Sequence, residues 1–129
     1  MNNLVLAYLG DAVYELYIRE FLIEKGVAKV NDLQNASLDY VSAVSQRRIL
    51  EKLETQNIFN DSEKDIINRG RNMSSHKSKT TDIITYKKAT GFECLIGYLY
   101  LNDKTRLKEI MKEVVREAWE YREKMFLMN

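Results

Sequence analysis

The sequence predicts an all-helical fold, and three observations carry that prediction. Pro is absent and Gly occurs only five times in 129 residues, so the residues that break helices and punctuate sheets are scarce. Apolar residues recur at three- and four-residue spacing through most of the chain, the period of an amphipathic helix. Residues that cap helix N-termini stand just ahead of several of these periodic runs.

The first run, from Leu4 to Ile23, reads as a helix over residues 3–25, with Gly26 placed for a left-handed cap. A short segment around Asp32 and Asn35 then leads to Ser37, which is read as the N-cap of a second helix. That helix passes through Val41, Val44, Ile49 and Leu53 and shows Arg47, Arg48 and Lys52 on its outer face. Asn60 followed by Glu63 has the form of a capping box opening a helix through Ile66 and Ile67 toward Arg71. Residues 72–81 have no apolar period and many small and basic residues, so an exposed loop is expected there. A long helix is read over residues 82–101, and Asp103 caps a last amphipathic one through Ile110, Val114, Trp119 and Tyr121. Repeats, linkers and low-complexity stretches are absent, and residues 1–129 are expected to form a single domain.

With 45% hydrophobic and 30% charged residues, the composition is that of a globular protein. Cys94 has no second cysteine to pair with, and one cysteine and one histidine cannot build a zinc site. A reducing, cytoplasmic setting is the expectation, and neither a secretory pattern nor a stretch long enough to span a membrane is present. A net charge of +1 gives no overall sign of nucleic-acid binding, so the distribution of charge must be examined.

Two acids stand out. The first helix is apolar almost all round, leaving a strip of Asp11, Glu15 and Arg19, and Asp11 is expected in a low-dielectric setting. Between Lys88 and Asp103 the one charged residue is Glu93. Gly10 adjoins Asp11, and Gly97 lies one turn beyond Glu93. The missing side chains would let these two helices approach closely and bring both acids to one hard cation, for which magnesium is the natural candidate. Taken one at a time, either acid could equally cap a helix or pair with Arg19 or Arg71.

Charge is also unevenly spread. Residues 69–88 hold Arg69, Arg71, Lys77, Lys79, Lys87 and Lys88 against the single acid Asp82. Such a patch suits phosphate contact, although Lys-rich loops are often merely solvated. The hydroxyls of Ser74, Ser75, Thr80 and Thr81 are compatible with phosphate but are ordinary loop chemistry as well. Cys94 is read as a small core residue and His76 as a loop side chain rather than a general base.

The segment LAYLGDAVYEL at residues 6–16 resembles the signature of the ribonuclease III family, in which an LGDAVLEL-type segment carries a metal-binding aspartate, here Asp11. TGFECLIGYLYL at residues 90–101 is similar to the family's later acid-bearing helix and supplies Glu93. Both lie in the family's order about eighty residues apart, with RGRN at residues 69–72 between them, as in its compact branch, mini-ribonuclease III. Relative to the broader family, the acid one turn before Asp11 is replaced by Ala7 and the one three residues before Glu93 by Thr90, so the metal should be held loosely and through more water.

The resemblance implies a helical bundle forming a two-fold homodimer, without the double-stranded-RNA-binding domain of full-length relatives. It implies a magnesium-dependent endoribonuclease that hydrolyses double-stranded RNA with metal-activated water, leaving 5′-phosphate and 3′-hydroxyl ends. Asp11 and Glu93 would be both metal ligands and catalytic residues, while Arg69, Arg71, Asn72, Lys77, Lys79 and Lys87 would contact RNA. The implied substrate is the precursor of large-subunit (23S) ribosomal RNA, with a ribosomal protein as a further candidate partner. The competing reading is a non-catalytic helical dimer of the same fold that binds structured RNA or associates with the ribosome. The apolar excess of the first helix, including Tyr8, Tyr14, Tyr17 and Phe21, fits a dimer interface or simply a larger core.

Overall fold

Asn2 opens the first of the six α-helices found among the described residues by accepting the Leu4 N–H on its side chain. The computed structural model describes residues 2–73 and 82–128. The helices are α1 (Asn3–Glu24), α2 (Val30–Val41), α3 (Ala43–Thr55), α4 (Asp61–Met73), α5 (Ile83–Asn102) and α6 (Lys104–Met128). Among the described residues there is no strand, and no helix is long and apolar enough to cross a membrane.

The caps explain most helix boundaries. Asn60 and Glu63 close the reciprocal box expected of them: the Asn60 side chain accepts from the Glu63 N–H at 2.8 Å, and the Glu63 carboxylate accepts from the Asn60 N–H at 3.0 Å. Asp82 caps α5 through the Thr85 N–H, and Asp103 caps α6 through the Arg106 N–H. Gly26 takes a φ of 90°, which lets the Val27 N–H bond back to the Leu22 carbonyl and ends α1 in a Schellman turn. Asn57, at φ 57°, does the same after α3.

The helix expected from Ser37 to Leu53 is in fact two. Residues 30–41 form α2, with Ser37 inside it donating its hydroxyl to the Gln34 carbonyl. The chain breaks at Ser42, whose extended backbone (φ −64°, ψ 154°) and side-chain bond to the Ser45 N–H start α3 afresh. Val41 and Val44 sit on either side of the break at helical spacing, so the apolar period ran straight across it. Arg48 is not on an outer face either: it is half-buried, its guanidinium 3.5 Å from the centre of the Tyr121 ring.

The core is built around α5, which packs on α1, α4 and α3 and buries Phe92, Leu95 and Ile96 completely. Tyr14 is in this core, edge-on to Phe92 and donating its hydroxyl to the Tyr40 carbonyl at 2.9 Å. Phe21 packs edge-on to Trp119, so neither Tyr14 nor Phe21 is free for an outer interface. α6 is anchored by Arg106, which donates to both oxygens of buried Glu63 and to the Ile58 carbonyl.

Candidate metal centre

α1 and α5 meet at the two glycines singled out by sequence. A Cβ on Gly10 would lie 1.8 Å from the Glu93 carbonyl oxygen, and one on Gly97 would lie 2.0 Å from that of Leu6. Only backbone fits in this crossing. Asp11 follows Gly10 directly, so the crossing sets its carboxyl close enough to that of Glu93 for the two to interact.

Their environments differ in a way the sequence did not reveal. Asp11 is exposed, contrary to the low-dielectric setting expected for it, because it lies at the edge of the side through which α1 packs, next to buried Gly10 and one turn from buried Ala7, where solvent still reaches it. Glu93 is the desolvated member. Burial first, and then the neighbouring Asp11 carboxyl, push its pKa up to about 9. Without a cation, the Glu93 carboxyl therefore favours its protonated form at neutral pH.

A third group completes the site. Gln46, on α3, is 1% exposed and donates its amide to Glu93 Oε2 at 3.3 Å. It was missed because a glutamine in a helix carries no chemical flag. The available signal was its register: it shares the core face of α3 with Ile49, Leu50 and Leu53.

The other acids of the region are elsewhere. Glu15 forms an ion pair with Arg19 at 2.7 Å, its expected alternative to a place in the site. Neither Asp11 nor Glu93 has a Lys or Arg ion-pair partner among the described residues, so the pairings with Arg19 or Arg71 are not made. Ala7 is buried, and the Thr90 hydroxyl donates to the Tyr86 carbonyl one turn back. Among the described residues no group of three or more His, Cys, Asp or Glu is gathered for a metal. Two carboxyls suffice for a hard cation that keeps most of its waters, and two neighbouring acids, one of them largely desolvated and without a basic partner among the described residues, make a place where positive charge is favoured. The donor set fits such an ion.

The basic patch is only partly assembled around this centre. Arg71 runs alongside α5, close enough that a Cβ on Gly91 would be 3.3 Å from its own Cβ, two residues before Glu93. Asn72 is exposed on the last turn of α4, and Lys87 is half-exposed on α5. Arg69 is exposed and paired with Asp65 at 3.2 Å. Lys88, counted in the patch from sequence, pairs instead with Glu51 of α3, because the start of α5 packs on that helix. Of the loop expected over residues 72–81, Asn72 and Met73 instead continue α4, and residues 74–81, with Lys77, Lys79 and His76, lie outside the described residues. Cys94 is fully buried, as expected, with Gly70 packed against it.

Comparison with known proteins gives a consistent result. Residues 4–104 match the Ribonuclease III domain family. The chain is 40% identical over 126 residues to the Mini-ribonuclease 3 of Enterococcus faecalis, covering 96% of each protein. It is 44% identical over 117 residues to that of Staphylococcus aureus, covering 89% of this chain and 87% of the relative. A crystal structure of a Fusobacterium nucleatum protein superposes with a TM-score of 0.77 at 30% identity, covering 91% of this chain and 93% of the other.

Proposed function

Since the chain belongs to the ribonuclease III family of metal-dependent endonucleases acting on double-stranded RNA, we propose that Asp11 and Glu93 are its metal ligands and that Mg2+ is the ion they hold. The observation that supports this assignment is the α1/α5 crossing, where Gly10 and Gly97 leave room for backbone alone and Asp11, next to Gly10, is a near neighbour of the Glu93 carboxyl. Uptake of a divalent cation would favour the ionised form of Glu93. The bound ion would supply an activated water and offset charge on the phosphodiester. Asp11, being exposed, is the side from which substrate approaches, while Glu93 is fixed from behind by Gln46.

The same reading assigns Arg71, Asn72, Lys87 and Arg69 to the RNA phosphates, with Lys77 and Lys79 alongside them. Duplex RNA is held mainly by phosphate and 2′-hydroxyl contacts, so these groups supply affinity rather than sequence choice. Arg69 must exchange Asp65 for a phosphate, an easy step for an exposed ion pair. A precursor of large-subunit ribosomal RNA in the cytoplasm is the substrate this reading favours.

A two-fold homodimer belongs to the same reading. Val5, Tyr8, Ala12, Leu16 and Ile23 recur at three-, four- and seven-residue intervals along one exposed face of α1. Tyr8, at 84% exposure, is the most exposed large apolar side chain of that face. Asp11 borders the stripe, so pairing two copies through it would set two centres near one another, as cutting both strands requires.

Magnesium-dependent cleavage of a labelled RNA duplex tests the assignment. Asp11→Asn and Glu93→Gln are expected to lose cleavage by several orders of magnitude while keeping their fold and their affinity for the duplex. Cleavage by either variant at the wild-type rate would remove that acid from the site. Duplex binding without cleavage by the wild type at any magnesium concentration would favour the non-catalytic alternative.

A further inference from the structure

α3 carries Gln46, Arg47 and Arg48 in succession, and the fold turns the three in different directions. Arg47 donates to the Thr85 hydroxyl at 2.9 Å and pairs with Glu51 at 3.4 Å, and Arg48 stacks on Tyr121. The one neutral member faces Glu93.

That choice contrasts with Glu63, an acid buried on α4. Glu63 is answered by a full positive charge, the fork of Arg106, which satisfies both its oxygens permanently. An arginine in the place of Gln46 would do the same to Glu93 and would repel a divalent cation. An apolar residue, which the register of Ile49, Leu50 and Leu53 would otherwise favour, would leave the buried carboxyl free to rotate away from Asp11. A neutral donor fixes one oxygen and adds no charge.

We propose that Gln46 is a positioning residue of the metal centre, whose buried amide holds Glu93 Oε2 so that the carboxyl stays aimed at Asp11 and the site takes up a divalent cation at useful concentration. The inference rests on the functional reading above. It assigns Gln46 no contact with substrate.

The test is uptake of Mn2+ by the RNA-free protein, followed through the loss of the free-ion signal in electron paramagnetic resonance. Wild type, Gln46→Met, Gln46→Leu and Glu93→Gln are compared, with circular dichroism establishing the fold of each. Gln46→Met keeps the length of the side chain and removes the donor, so it carries the test if Gln46→Leu does not fold. Both Gln46 variants are expected to bind Mn2+ roughly tenfold more weakly, as is usual when a hydrogen-bond partner of a metal ligand is removed. The Mg2+ concentration giving half-maximal duplex cleavage should rise by a similar factor, with much of the rate recovered at saturating Mg2+ and duplex binding without metal unchanged.

A folded Gln46→Met with wild-type Mn2+ affinity overturns the proposal. So does a loss of maximal rate with no change in half-saturating Mg2+, the mark of a purely structural role. If the wild type takes up no more Mn2+ than Glu93→Gln, the failure lies in the metal assignment itself, and the proposal falls with it.

Discussion

Glu93 makes the stability of the cation-free protein depend on pH in an unusual direction. Its carboxyl titrates at the ordinary 4.5 when unfolded and at about 9 in the fold, so the folded chain binds the extra proton throughout that window. The stabilisation is complete below pH 4.5 and is lost as pH rises through 9. Melting temperature measured in chelator should therefore fall from mildly acidic to alkaline pH by more in the wild type than in Glu93→Gln, and saturating Mg2+ should flatten the difference. Equal slopes for the two proteins would mean that Glu93 is not the buried acid described. The sequence disclosed both acids because Glu93 was a lone charge in an apolar helix and Asp11 began a narrow polar strip on another, patterns that are expensive and therefore conspicuous. It misjudged the burial of Asp11, since a helix apolar on most sides does not say which side the protomer covers. Gln46 stayed hidden because an uncharged amide stands out only once its neighbours in space are known.

At the level of the elements, the crossing of α1 and α5 is the tightest contact on which the site depends. Gly97→Ala would drive a methyl group to 2.0 Å from the Leu6 carbonyl oxygen, and backbone must move to admit it. The expected cost is about 2–3 kcal/mol or more, read from urea denaturation, with cation binding weakened as Asp11 and Glu93 separate. Unchanged stability would show that the helices slide apart freely. This crossing was legible because two glycines flanked two acids at matching helical register. The second glycine contact, Gly70 and Gly91 between α4 and α5, lacked such markers and went unread. The division of α2 from α3 was also illegible: the apolar spacing continues across Ser42, and the local bond from its side chain to the Ser45 N–H outweighs propagation of the helix.

Across the whole molecule, the all-helical architecture followed from the scarcity of Pro and Gly and from the caps, whereas the way the helices pack was not contained in their periodicity. α1 is the clearest case, its apolar surface divided between a core side with Tyr14, Ile18 and Leu22 and an outer stripe with Val5, Tyr8 and Leu16. Tyr8→Glu places a charge on that stripe at a residue the core does not use. In sedimentation velocity it should shift the protein from dimer to monomer with its melting temperature as a monomer little changed, and duplex cleavage should give way to weak nicking. A variant that still sediments as a dimer would move the interface away from α1. The arrangement also has an order in time. Asp11 leaves the ribosome long before Glu93, and the slot between α1, α3 and α4 stays open until α5 is made. If Asp11 and Glu93 are the cutting centre proposed above, the chain is born without it, and RNA beside the translating ribosome would meet a working nuclease only once the second half of the protein has been synthesised and has docked.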